Sequence, residues 1–519
     1  MTINFVRVSH SREGFYLLSL IILITIGISS CKKEEKEASL FELLPSTQTN
    51  VHFVNKLSDS DAPGILSYLY FYNGGGVAIG DINNDGLPDI YFTSNKKGGN
   101  KLYLNKGNYQ FEDIADKAGV AGTADWCTGV TMADVNNDGY LDIYVCAVSG
   151  KLGLKGHNML YINNHDGTFT ERSAEYGLDF SGYSTQAVFF DYNHDGKLDC
   201  FLLNQSHHSV ETYGDTSLRR KVNNQAGSKL YLNKNGHFTD VTLQSGIYSS
   251  ALGYGLGVAV GDLNNDGWDD IYVGNDFHEN DYYYINNHNG TFTESGAKHF
   301  NHYSRFSMGN DMADFNNDGQ LDIVTADMLP GDEKILKTYG GDESYDQYKL
   351  KILDGGFQYQ YSRNCLQKNL GNGEAFSEVG LMDGVYATDW SWSPLLADFD
   401  NDGIKDLFIA NGIKRRPTDM DYVSFISNFS VRSLLTSSHQ IDSTVIDKMP
   451  GGESHSYIFK GTKSEKFIDK SALWGIRDAM ISNGATYADL NNDGCLDLVT
   501  NNMNHEACIY KNLSKGTHY

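Results

Sequence analysis

Asp81, Asn83, Asp85 and Asp89 stand at positions 1, 3, 5 and 9 of a nine-residue segment that has Gly86 at position 6. The same spacing returns as Asp134, Asn136, Asp138 and Asp142, as Asp191, Asn193, Asp195 and Asp199, and as Asp262, Asn264, Asp266 and Asp270. It recurs again as Asp314, Asn316, Asp318 and Asp322, as Asp398, Asp400, Asp402 and Asp406, and as Asp489, Asn491, Asp493 and Asp497. Oxygen side chains at alternate positions of a tight loop converge on one point, and the backbone carbonyl of position 7 can join them. That seventh position is Leu87, Tyr140, Lys197, Trp268, Gln320, Ile404 or Cys495. An all-oxygen cage suits a hard cation, and calcium, which takes about six to eight oxygens in flexible geometry, fits best. Up to seven Ca2+ are expected. A plain Asx turn would not need three carboxylates each time.

The flanks fix the elements that must hold these loops. Position 12 is apolar or Thr in every copy, so the acidic twelfth ligand of an EF-hand is missing. Each loop is followed by a short run rich in β-branched and aromatic residues, such as Asp89-Ile-Tyr-Phe92, and preceded by another, such as Gly76-Val-Ala-Ile-Gly80. These are strands, so each loop joins a hairpin. A third strand follows, exemplified by Lys101-Leu-Tyr-Leu-Asn105, and a fourth is anchored by Phe111, Phe169, Phe238, Phe292, Phe376 or Phe467. Seven repeats of four antiparallel strands make an all-β, seven-bladed β-propeller. The seventh unit runs out after its third strand, and His52-Phe-Val-Asn55 is expected to supply its fourth and close the ring. Helical insertions are expected in the loops of units five and six.

The chain has 519 residues, 40% of them apolar, and a formal net charge of -25. That is enough apolar surface for a large core, so wholesale disorder is excluded. An acidic body repels phosphate, so no nucleic-acid partner is expected. The ligand positions of the loops hold 22 of the 66 acidic residues, three each and a fourth in unit six, so much of the charge is ligand charge awaiting an ion.

Residues 1–30 resemble a secretory signal: Arg7 and Arg12, then an apolar run from Phe15 to Ile28 too short to span a bilayer. Small residues leading into Cys31 resemble a lipobox, in which Cys31 would be lipidated. Residues 31–44 are expected to form a charged tether and residues 45–519 the propeller. The lipid would be the only membrane attachment, at the outer membrane or cell surface of a bacterial envelope. The other six cysteines form no CxxC pair and are expected to be buried small hydrophobes, with a disulfide left open.

With these motifs the repeats resemble the FG-GAP/VCBS family, which includes the integrin α-chain head. The run Tyr72 to Gly76 and the segment Thr388-Asp-Trp-Ser-Trp-Ser-Pro394 make residues 45 to 512 similar to bacterial ASPIC/UnbV, cartilage-acidic-protein-like lipoproteins. Such relatives often continue into a C-terminal ASPIC/UnbV module, whereas this chain stops at Tyr519.

Connections after the second strand emerge on the face opposite the cation loops, and they are long in units three, five and six. Long insertions on a rigid scaffold commonly carry function. This face is expected to hold His207, His208, Asp276, His278, Glu279, Asp327 and His505, with a basic patch at Lys414, Arg415 and Arg416 suited to an acidic glycan or a carboxylate. Tyr422, Phe425, Ile426 and Phe429 have the spacing of a helical cap. Trp126, Tyr183, Tyr254, Phe306 and Trp390 recur before the loops, as packing between blades or as a ring of sugar-stacking surfaces. The expected function is a non-catalytic binding or adhesion module for an extracellular protein or glycan. The alternatives are a calcium-dependent polysaccharide lyase or hydrolase using these histidines, or a scaffold for a missing C-terminal module.

Overall fold

The computed structural model describes residues 39–61, 63–150, 152–206, 215–341, 345–428 and 443–515. They form a seven-bladed propeller of four-stranded antiparallel blades, six of which pair their strands in sequence order while the seventh takes its outer strand from the N-terminal side of the chain. The first unit is Val77–Gly80, Asp89–Phe92, Lys101–Asn105 and Phe111–Asp113. In every unit the Asp at loop position 9 lies opposite the last residue of the first strand, as in Gly80 opposite Asp89 and Ala397 opposite Asp406. The nine-residue motif is therefore the hairpin turn itself.

Second strands are buried along their whole length, since each lies in the middle of its blade and is covered by the blades on either side. Seven of the eight apolar clusters among the described residues lie between neighbouring blades, such as that of Tyr144, Leu160 and Leu202 between units two and three. First strands crowd the axis, where small residues are required. A Cβ at Gly309 would lie 2.0 Å from the Trp392 carbonyl, and one at Gly129 2.4 Å from that of Thr185.

The ring closes as expected, but with a different strand. Phe41–Leu44 pairs with Cys508–Asn512, placing Phe41 opposite Asn512. The same pairing of a third-strand end with a fourth-strand Phe joins Asn105 to Phe111 and Asn233 to Phe238. His52–Asn55 instead crosses the first and seventh units, with Phe53 stacked on Phe92 at 4.8 Å and Val54 bridged to Glu506. The propeller thus begins before residue 45, and Phe41–Leu44 belongs to the ring rather than to the tether. A copy of the Phe-Glu pair of Phe111-Glu112 was present at Phe41-Glu42, hidden by its short run and charged neighbours.

The insertions of units five and six contain helices, as expected. Glu333–Leu336 and Tyr345–Leu353 lie in unit five, and Met420–Ile426 and Ser443–Ile446 in unit six. Asp419 caps the third of these by accepting from the Tyr422 N–H at 3.0 Å. Phe429, the last residue of the expected helical stripe, lies outside the described residues, as do Cys31, His207 and His208.

Candidate functional site

The nine-residue hairpin loops are built alike. In the first, Asp81 accepts from the N–H groups of Asp85 (3.1 Å) and Gly86 (2.7 Å), which winds the loop around its carboxylate. Asn83 accepts from the Asp85 N–H at 3.1 Å and donates its amide to Asp85 Oδ2 at 3.0 Å. Asp89 accepts from Ile82 and Asn105 at 3.0 and 2.7 Å. Position 4 takes positive φ in every copy, from 55° at Asn265 and Asn401 to 60° at Asn137 and Asn492, a conformation Asn tolerates well.

These loops fit a hard cation. The donors are carboxylates, an amide oxygen and a carbonyl, all at one end of a hairpin. Asp398, Asp400 and Asp406 bring ligand atoms within 4.8 Å of one another. Position 9 is fully buried in each unit. Burial, reinforced by the other loop carboxylates, pushes Asp89, Asp142, Asp199, Asp270, Asp322 and Asp497 up to about 7 and Asp406 to about 8. A bound divalent ion would favour the ionised form and relieve that crowding. In each loop the position-1, -3, -5 and -9 side chains and the position-7 carbonyl would hold it.

Sequence reasoning missed how the loops are tied together. Asn84 donates to the Gly139 carbonyl of the next loop at 2.9 Å, and Asn265, Asn317 and Asn401 repeat this toward Gly319, Gly403 and Gly494. Asn492 reaches Gly86 at 2.8 Å, linking the seventh loop to the first. In the third unit His194 occupies that position and stacks on Trp268 of the fourth loop, with centroids 3.9 Å apart. Third-strand asparagines add a second tie, as Asn163 donates to the Ile82 carbonyl at 2.8 Å. The recurring Asn at loop position 4 was the signal for this.

On the opposite face the basic patch is neutralised from within. Arg416 makes a paired contact with Asp389 at 2.6 and 2.7 Å, both side chains 8% exposed. Lys414 and Arg415 share Asp59 at 2.9 and 3.2 Å, and Arg415 also meets Asp447 at 3.2 Å. Burial pulls the Asp59 carboxyl upward, but Lys414, Tyr72 and Arg415 together hold it below its ordinary value. The expectation of a patch open to an acidic glycan is corrected: Lys414 and Arg415 fasten Leu57 and Asp59 to unit six, and Arg416 is taken up by Asp389.

The expected polar surface is likewise largely internal. Asp276, His278, Glu279 and Asp327 are buried. His278 lies among the rings of Phe277, Phe357 and Tyr254 at 4.8, 5.4 and 6.1 Å. Glu279 pairs with Arg219 of the unit-three insertion, whose Nε lies 3.1 Å from both carboxylate oxygens. Asp276 accepts from the Tyr70 hydroxyl at 3.0 Å, and burial raises it to about 7. His505 stays partly exposed, 3.3 Å from Glu453.

Trp126, Tyr183, Tyr254, Phe306 and Trp390 pack in one buried cluster with Tyr68, Tyr70, Phe71 and Tyr72. They are interior packing, and the segment from Leu57 to Tyr72 covers them. Tyr422 joins the same cluster, with Phe425 and Ile426 against it, so the expected helical cap is present. The insertions interlock above: Thr216 N–H meets the Gly355 carbonyl at 3.0 Å, and Met420 N–H meets that of Thr338 at 2.8 Å. The six described cysteines are buried and free.

A family model described as FG-GAP-like repeat matches residues 63–145, 147–202, 222–273 and 262–325. Cartilage acidic protein 1 of Xenopus tropicalis is 29% identical over 203 residues, 38% of this chain and 28% of that protein. The Homo sapiens protein of that name is 28% identical over 201 residues, with the same shares. Integrin alpha-8 of Gallus gallus is 29% identical over 156 residues, 27% of this chain and 15% of the integrin. The chain thus spans under a third of the length of these relatives. Among solved structures, an Agrocybe aegerita lectin described as recognising non-reducing terminal N-acetylglucosamine aligns with a TM-score of 0.33 and 16% identity, over 65% of this chain and 79% of that one.

Proposed function

Because this chain is a β-propeller of FG-GAP-like repeats of the integrin type, we propose that it works as a calcium-stiffened binding or adhesion module held at the cell envelope. Calcium in the hairpin loops would rigidify one face, and the insertion-built opposite face would meet an extracellular protein or glycan. The observation that carries this reading is an exposed strip on that opposite face. The helix Tyr345–Leu353 leaves Tyr345, Leu350 and Leu353 exposed at 76%, 62% and 66%, and Tyr359 nearby is 48% exposed. Exposed apolar and aromatic side chains grouped on a rigid support are characteristic of contact surfaces.

The test is binding of the full chain to glycan arrays and to extracellular proteins, with calcium and with chelator. Tyr345→Ala combined with Tyr359→Ala is expected to weaken binding by about tenfold or more while melting is unchanged. Binding indifferent to both the substitutions and chelator would overturn the assignment. Anchoring is tested separately: labelled fatty acid should enter the protein in cells and be lost in Cys31→Ser.

A further inference from the structure

The sixth loop combines a residue found in no other loop with a lysine that units one to four lack. Position 3 is Asp400 where the others have Asn, and the residue before the end of the third strand is Lys460. Units one to four carry Leu104, Ile162, Leu232 and Ile285 at that strand position, in the same register against the fourth strand. The Lys460 ammonium contacts Asp400 Oδ2 and lies 2.6 Å from Asp402 Oδ2.

Those two atoms define what the lysine replaces. In five of the other loops the Asn amide at position 3 donates to Oδ2 of the Asp at position 5, at 2.8 to 3.0 Å. A carboxylate at position 3 has no proton to give, so Asp400 cannot make this clamp. Lys460 makes it from the outside, bonding both Oδ2 atoms together. In all six Asn loops the position-3 Oδ1 accepts from the position-5 N–H. Here Asp400 Oδ1 is buried and has no hydrogen-bond partner, and Asp400 belongs to the three-carboxylate group whose ligand atoms converge within 4.8 Å. The charges also match. Four carboxylates and one ammonium carry the same formal charge as the three carboxylates at the ligand positions of each other loop.

Lysine at this strand position is not enough by itself. Lys368 in unit five turns to Glu465 at 2.6 Å, and Lys511 in unit seven lies over the Tyr109 ring at 5.4 Å. Only where position 3 is Asp does the ammonium go to its own loop.

We propose that Asp400 and Lys460 are a matched pair that keeps the sixth loop a divalent-cation site, with Lys460 as a positioning residue outside the ligand shell and Asp400 Oδ1 as a ligand. This rests on the calcium reading of the loops. It gives loop six an all-carboxylate set of side-chain ligands at unchanged net charge.

The experiment is a four-variant cycle on the full chain: wild type, Lys460→Leu, Asp400→Asn and the double variant, which restores the residue types of unit one. Melting in chelator and calcium bound per chain after dialysis are both read. Lys460→Leu in chelator is expected to melt lower by about 2 °C or more, because four carboxylates then face one another. Adding Asp400→Asn should recover most of that loss, which a mere contact of the lysine with Trp474, whose ring centroid lies 5.9 Å from the ammonium, would not allow. Wild type and double variant should bind the same number of ions.

Failure of Asp400→Asn to rescue overturns the pairing. One ion fewer in wild type than in Lys460→Leu would mean that the ammonium takes the cation's own place, and also overturns the proposal. No calcium in any variant removes the calcium reading and the cation half of this one, while the rescue in chelator still tests the pair.

Discussion

Phe41 and Asn512 face each other across the last two strands of the seventh blade, so the N-terminal strand of the described chain completes the unit that ends it. Phe41 is 2% exposed and packs with Phe399 and Tyr510 between the sixth and seventh blades. Phe41→Ala is expected to destabilise the protein by about 3 kcal/mol or more, as for other buried Phe truncations. Denaturant unfolding in calcium checks this. A cost near that of an exposed substitution such as Leu43→Ala would remove the latch.

Chelation should lower the melting temperature substantially. An ion that binds only the folded state adds about 2.7 kcal/mol per site when present at a hundred times its dissociation constant. Thermal melting with calcium, with chelator and with calcium restored is the measurement, paired with metal counting. An unchanged melting temperature with no bound calcium would refute the assignment of the loops.

The buried loop carboxyls set the sign of the pH dependence. Asp89, Asp142, Asp199, Asp270, Asp322 and Asp497 titrate near 7 in the fold and Asp406 near 8, above the ordinary carboxyl range of about 4. Each binds its proton more tightly folded than unfolded. Their contribution is therefore fully present below about pH 4 and is lost as pH rises through about 7 to 8. In chelator, melting should fall between pH 5 and pH 8. Calcium competes with those protons, so the same scan in calcium should be flatter or inverted, and parallel scans would contradict this.

Arg416 and Asp389 form a pair with both partners buried. Arg416→Met leaves an unpaired buried carboxylate and is expected to cost about 3 to 5 kcal/mol. Adding Asp389→Asn should return a large part of that. Arg415→Met, at a side chain 25% exposed, should cost clearly less. Equal losses for the two arginines would place Arg416 in solvent after all.

Much of this protein is written locally. The nine-residue loops, the strands beside them and the count of seven units follow from patterns of a few residues repeated along the chain, and a loop whose ligands lie within nine positions needs no distant partner to be recognised. Third strands such as Lys229–Asn233 and the anchoring Phe238 emerge where their spacing places them.

What only the tertiary structure decided was which groups meet across tens to hundreds of positions. Lys414 to Arg416 have the composition of an open basic patch, but Asp59 and Asp389 arrive from other parts of the chain to neutralise them. Trp126 and Trp390 have the spacing of a stacking ring, but residues 57–72 fold over them. Phe41 and Phe53 present similar local signals, and only ring closure selects Phe41 for the blade edge. A strand's sequence states that it needs a partner and a charge's sequence states that it needs neutralising or solvent. Which partner, or whether it is solvent, depends on the close packing of the whole disc.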